Sequence, residues 1–255
     1  MPEVSTLSRT LSSAPYFLRT TVLSVDDLYL PHSTLRRLSS SHPENPLLRH
    51  RGVPSTHDVP LAASVFSALR ARLPTSVPSY DKSAYSGQGD RMDPETWERV
   101  NEPGEAPVEV VIFEGWCVGF RALEEEELTW RWEEARTRQD ETSQLAKCAL
   151  ENVRFVNEAL RTYDELTGDA EHLTYVYAWR LEQEAALRAA KGSGMTDDQV
   201  REFVNDYYPC YELYTPALRH PPPPPGREGQ VQAKNRPQLH LVIGKDRAVK
   251  TVEMV

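Results

Sequence analysis

Two short apolar runs in this chain end on carboxylates. "TTVLSVDDLYLP" (20–31) breaks off at Asp26 and Asp27, and "VVIFEGWCVGF" (110–120) at Glu114, which Gly115 follows. Both are rich in β-branched and apolar residues, the pattern of a buried strand. In a parallel sheet flanked by helices, ligands collect in the crevice at the carboxyl ends of the strands, so acids placed there face a ligand and not the core. A hydrophobic strand that ends in an acid is also the pattern that holds magnesium, usually through water, beside nucleotide phosphates. Glu114 is the candidate for that role, and the glycine after it permits close backbone approach. An isolated pair of aspartates reads more readily as the cap of the next helix or turn. The second acid-terminated strand is what turns the reading toward chemistry.

The elements that must position these acids follow from periodicity. A third apolar run, "LHLVIG" (239–244), reads as another strand, while the intervening segments have helical spacing at Val4–Leu11, Val59–Leu73, Glu124–Leu166, Tyr175–Lys191 and Thr196–Leu218. Strands alternating with helices predict an α/β fold, a mostly parallel sheet flanked by helices. Thr196 can cap the last helix, and Asp197 and Asp198 suit the positive end of its dipole. "HPPPPPG" opens a Pro-rich linker over 220–238, stiffened by the polyproline preference of consecutive prolines. No internal repeat is present.

Composition narrows the function classes. A chain of 255 residues suits one large α/β domain, and a net charge of −9 argues against binding nucleic acid through a broad basic surface. Cys117, Cys148 and Cys210 are far apart, with no CxxC spacing, which suggests neither a zinc site nor a disulfide framework. No apolar stretch approaches the length of about 20 residues that spans a bilayer, and the N-terminus lacks the apolar core of a signal peptide. The expectation is a cytoplasmic protein that takes a small-molecule substrate and associates with neither nucleic acid nor membrane.

A set of motifs then carries a specific resemblance. "SVDDLYL", "RGVPSTHD", "YDKSAYSGQGDR", "VVIFEGWCVGF", "YVYAWRLEQE", "GSGMTDDQVREFVNDYYPCYELY" and "LHLVIGKDRAVKTV" stand in the order found in fungal ATP-dependent kinases related to D-glycerate 3-kinase. Those belong to the P-loop kinases that include uridine kinase and phosphoribulokinase. The likeness runs from about Ser24 to the end, apart from the Glu-rich segment near Glu124–Lys147. It implies a P-loop NTPase-like parallel sheet, ATP and Mg2+, and phosphorylation of a hydroxyl on a small metabolite such as D-glycerate.

The resemblance assigns roles. It makes Asp26 the general base that accepts the hydroxyl proton, with Asp27 orienting it or lying near magnesium. Glu114 belongs to the metal shell. Tyr80, Lys82 and Arg91 sit on a glycine-rich loop and bring cations suited to an anionic substrate. Arg51, His57 and Asp58 join them on the substrate side. Arg180, Arg188 and Lys191, spaced 8 and 3 residues apart, share a helix face that could close as a lid over the transferring phosphate; the plainer reading is a solvated stripe pairing with Glu182 and Glu184.

The sequence contains no GxxxxGK[ST], the motif whose amides, lysine and hydroxyl cradle nucleotide phosphates. The resemblance would put it just before Val4, and a second apolar strand is missing around "GDAEHL" (168–173). The expectation is therefore a single kinase-like domain over 1–255, N-terminally truncated, with both strands lost from the centre of its sheet. Three readings remain open: a truncated kinase, a catalytically dead relative that binds a metabolite or protein, and an acidic interaction protein that docks through its Glu-rich helix.

Overall fold

The computed structural model describes residues 2–138, 142–163, 185, 188, 194–219, 239–243 and 249–254. The chain divides into two compact units, residues 1–118 with 191–194 and residues 119–190 with 195–255.

In the first unit, helix α1 (Pro2–Ser12) leads to strand β1 (Thr20–Ser24), which a 3-10 turn, Val25–Leu28, terminates. Helix α2 (His32–Ser41) and helix α3 (Val59–Arg70) follow. Four short strands come next: β2 (Thr75–Val77), β3 (Tyr80–Asp81), β4 (Asp90–Arg91) and β5 (Glu98–Val100). Strand β6 (Val110–Glu114) then runs parallel to β1 with Thr20 opposite Val110 and Ser24 opposite Glu114. The two acid-terminated strands thus end side by side. Arg19 fixes that register at the other end. Its amide donates to Glu109 Oε2 at 3.0 Å, the Glu109 amide returns a bond to Arg19 O at 2.8 Å, and its guanidinium reaches Ala106 O and Glu105.

Leu23 and Leu28 bury against Val65 and Leu69 of α3 and against Val77, Val100 and Val108, with Phe66 and Phe113 edge to face at 5.0 Å. Leu23 is fully buried, so truncating it to alanine should cost about 2–5 kcal/mol. Helix α3 ends at Arg70, short of the expected Leu73, because Arg72 turns to φ +55°. Strand β6 differs from the fully buried strand its sequence suggests: its residues are half-exposed, with Val111 at 37%. Among the described residues β1 is its only strand neighbour.

In the second unit, the long helix expected over Glu124–Leu166 is broken. Helix α4 (Glu125–Thr137) and helix α5 (Leu150–Leu160) flank a 3-10 turn at Leu145–Lys147. There Ser143 Oγ accepts from the Ala146 amide at 3.2 Å, the local side-chain bond that competes with helix. Helix α6 (Asp197–Arg219) begins as read: Gln199 N donates to Thr196 Oγ1 at 3.3 Å and Thr196 N to Gln199 Oε1 at 2.8 Å, a reciprocal capping box. The third apolar run forms strand β7 (Leu239–Ile243), paired antiparallel with β8 (Val249–Met254), a partner the periodicity did not indicate. The Pro-rich segment and the expected helix at Tyr175–Lys191 lie outside the described residues, except that Ala185 and Arg188 are helical.

Candidate active site

The site is built on the carboxyl ends of β1 and β6. Ser24 closes β1 by accepting from the Asp26 amide through its Oγ at 3.3 Å, which turns the chain sharply and puts Asp26 and Asp27 at the mouth of the strand pair. On the other strand, Gly115 holds φ +156°, and a β-carbon there would meet Val25 Cγ1 at 2.1 Å. The missing side chain is what lets the chain after Glu114 pass so close to the aspartate turn.

The β3–β4 hairpin supplies the facing groups. Asp81 Oδ1 accepts from the Ser83 amide at 3.0 Å and the Ser83 hydroxyl at 2.6 Å, fixing the backbone on either side of Lys82. The Lys82 ammonium donates to Asp26 Oδ2 at 2.5 Å. From the same hairpin, the Tyr80 amide donates to Asp27 Oδ1 at 3.2 Å. The two aspartates therefore differ in chemistry. Burial pushes the Asp27 carboxyl up to about 6, with the charges of Asp26 and Glu114 acting in the same direction and Lys82 and the Tyr80 amide opposing them. That Glu114 is felt at Asp27 follows from the strand register.

Beneath the acids lies an aromatic floor. Tyr29 is buried and stacks on His57 at 4.3 Å, and Tyr80 meets it edge on at 5.5 Å. Burial holds the Tyr29 hydroxyl well above its usual pKa; the Asp26 charge and its hydrogen bond to Asp26 add to that. Burial lowers His57 to about 4 and raises Tyr80 to about 12. Arg51, 3% exposed, has its guanidinium 5.9 Å from the Tyr29 ring centre and 5.6 Å from that of Tyr80. It donates to Gly87 O at 2.7 Å and to Gln88 O, tying down the loop that begins at Lys82. Gly89 is required beside it: φ is +81°, and a β-carbon would sit 2.5 Å from Tyr80 Cε1.

Of the residues singled out from sequence, Asp26, Asp27, Lys82, Tyr80 and Glu114 converge on this edge. Asp58 caps α3, accepting from Leu61 N at 3.0 Å, and pairs with Arg91 at 3.0 Å, while Arg91 also donates to Tyr29 O at 2.7 Å. These two, with Arg51 and His57, form the support under the acids. In the second unit Arg188 pairs with Asp197 at 2.7 Å and donates to Met195 O. Arg180 and Lys191 lie outside the described residues. Sequence reading missed Tyr29. The signal available was an aromatic three positions after the first aspartate in "DDLY". Among the described residues no three His, Cys, Asp or Glu side chains cluster as a ready metal cage. The acids at this edge are nevertheless hard oxygen donors, suited to magnesium that takes one or two carboxylates and completes its shell with water and phosphate.

No family model matches the chain. It is 39% identical over 198 residues to the uncharacterized kinase mug58 of Schizosaccharomyces pombe, covering 76% of this chain and 70% of that protein. The solved D-glycerate 3-kinase from Cryptococcus neoformans superposes with a TM-score of 0.81 at 32% identity, over 99% of this chain and 85% of that one. The chain belongs to the kinases related to D-glycerate 3-kinase. Other relatives of this kinase family are the chloroplastic D-glycerate 3-kinase of Arabidopsis thaliana, 34% identical over 221 residues, and the probable ATP-dependent kinase TDA10 of Saccharomyces cerevisiae, 32% identical over 206. The chain spans 44% of the former and 64% of the latter, and 80% and 75% of its own length are matched. The likeness of fold bears out the mixed α/β, P-loop kinase-like class, with a small parallel sheet and helices. Among the described residues no helix is long and apolar enough to cross a membrane.

Proposed function

We propose that this chain carries the acceptor side of an ATP-dependent kinase that phosphorylates a hydroxyl of a small metabolite, with D-glycerate as the acceptor its relatives' names suggest. The observation that carries the reading is the pair of parallel strands ending together on Asp26, Asp27 and Glu114, faced by Lys82. In this reading Asp26 accepts the proton of the acceptor hydroxyl as that oxygen bonds to the γ-phosphorus of ATP and the bond to the ADP oxygen breaks. Tyr29, hydrogen-bonded to Asp26, and Asp27, tied to the Tyr80 amide, hold the base in position. Glu114 would hold Mg2+, which when bound neutralises charge on the phosphates. The Tyr80 hydroxyl is buried without a hydrogen-bond partner among the described residues, a cost of about 1–3 kcal/mol that a polar acceptor group could relieve. Arg51, His57, Asp58 and Arg91 act by holding the loop and floor.

The absence of GxxxxGK[ST] supports a second reading, in which the chain by itself binds acceptor without turnover. Titration calorimetry with Mg-ATP separates the two. Weak binding and no turnover are expected of the chain alone, and micromolar affinity would show that another segment holds the phosphates. The test of the acceptor site uses the chain joined to a strand and phosphate loop. Asp26→Asn should then lower turnover by about 10²- to 10⁴-fold, and extra magnesium should not rescue it. Glu114→Gln should raise the magnesium needed for half-maximal rate. Near-normal turnover in the Asp26→Asn protein would return the aspartate pair to a capping role.

A further inference from the structure

Three cations surround the acids, and they are not equivalent. Arg51 is buried and committed to the carbonyls of Gly87 and Gln88. Arg91 is held by Asp58 and the Tyr29 carbonyl, with its side chain 14% exposed. Lys82 differs from both. Its side chain is 35% exposed, and it pairs with an Asp26 side chain that is 26% exposed. The ammonium that a ligand arriving from solvent can reach is therefore held by the very carboxylate assigned as proton acceptor. A carboxylate oxygen already engaged by an ammonium is a poorer acceptor for a hydroxyl proton. Lys82 also has the means to change partners, because its charge rides on a flexible four-carbon stem, while Arg51 pins the following loop at residues 87 and 88.

We infer that Lys82 exchanges partners on acceptor binding: the carboxylate of a short hydroxy acid takes the ammonium from Asp26, and the Asp26 oxygen so released receives the hydroxyl of the same molecule. This rests on the reading of Asp26 as the acceptor-side base. The exchange makes the acid group of the substrate a condition for the base to become available. It favours short hydroxy acids, because one molecule must reach both the Lys82 ammonium and the Asp26 oxygen, which are direct partners before the exchange. A neutral polyol or amide of the same size leaves the ion pair closed.

The test is a double-mutant cycle on the full 255-residue chain, read as the affinity for D-glycerate and for its uncharged analogue glyceramide by ligand-observed NMR, with no nucleotide present. In the unaltered chain glycerate should bind more tightly than glyceramide. Asp26→Asn should tighten glycerate by about tenfold, as the competing charged hydrogen bond is removed, and leave glyceramide nearly unchanged. Lys82→Met should abolish the preference for glycerate, and Lys82→Arg, with charge retained, should keep it. The deciding arm is the double variant, in which Asp26→Asn should bring no gain once Lys82 is Met. If Asp26→Asn tightens glycerate equally in both backgrounds, the effect is simple repulsion and the exchange is overturned. Equal binding of glycerate and glyceramide by the unaltered chain overturns the exchange but leaves the acceptor site standing, whereas binding of neither ligand overturns both. A Lys82→Met protein that keeps its glycerate preference also overturns the exchange.

Discussion

Asp27→Asn isolates the burial of one carboxyl and gives it a measurable pH dependence. In the unfolded chain Asp27 titrates near 3.8, and in the folded chain near 6. Between those values the folded state keeps a proton that the unfolded state has released, so this residue's contribution to stability falls as pH rises from about 3.8 to about 6 and is constant above. The gap corresponds to a loss on the order of 3 kcal/mol. Asparagine keeps the oxygen that accepts from the Tyr80 amide but cannot titrate. The variant should therefore gain on the unaltered chain by about 3 kcal/mol between pH 4 and pH 7. Urea unfolding at a series of pH values, followed by circular dichroism and tryptophan fluorescence, reads that difference. His57 acts with the opposite sign. Its folded value near 4 lies below the usual 6.5, so its contribution is present above 6.5 and is lost as pH falls toward 4. In the unaltered chain the two trends offset one another between about pH 4 and 6, and Asp27→Asn should unmask the His57 slope. A stability difference that stays flat across this window would refute the burial of Asp27 and with it the proposed contrast between the two aspartates.

Two further substitutions test the frame around the site and the second unit. Gly115→Ala forces a β-carbon onto Val25, so it should destabilise by about 1–3 kcal/mol and weaken acceptor binding through the displaced aspartate turn; an unchanged urea midpoint would contradict the close approach. Asn157→Ala removes a buried side chain that accepts from the Leu123 amide at 2.9 Å, donates to Leu123 O at 2.9 Å and accepts from the Tyr214 hydroxyl at 3.1 Å. Leu123 O keeps its bond from Arg161 Nη2 at 3.1 Å, but leaving the Leu123 amide and the Tyr214 hydroxyl unpaired should cost about 2–4 kcal/mol, and hydrogen exchange at the Leu123 amide should accelerate; unchanged protection there would refute the clamp.

The likeness to D-glycerate 3-kinases was legible because it resides in contiguous motifs, each written along a few residues of chain. So were the strands themselves: "TTVLS" and "VVIFE" carry their β-branched runs and terminal acids in their own sequence, and Thr196 carries the cap of its helix. The break between α4 and α5 was not legible, because helical spacing persists through a segment where Ser143 offers the backbone a competing bond. Nor were the β2–β5 and β3–β4 pairings, whose strands of two or three residues are too short to show alternation.

The sequence by itself determined that two strands end in acids, since local propensity and the turn residues that follow act within a few positions of each other. Only the tertiary structure decided that Ser24 and Glu114 stand opposite one another in parallel register, and that Lys82 crosses 56 positions of sequence to meet Asp26. It also decided which charged residues stay accessible. Arg51, Lys82 and Arg91 look alike as cations in the sequence, yet burial and carbonyl partners commit two of them to holding the loop and leave Lys82 at the mouth of the site. Coulombic and desolvation effects depend on distance and on excluded water, and neither is encoded at any single position. They arise when the β3–β4 hairpin folds over the aspartate turn.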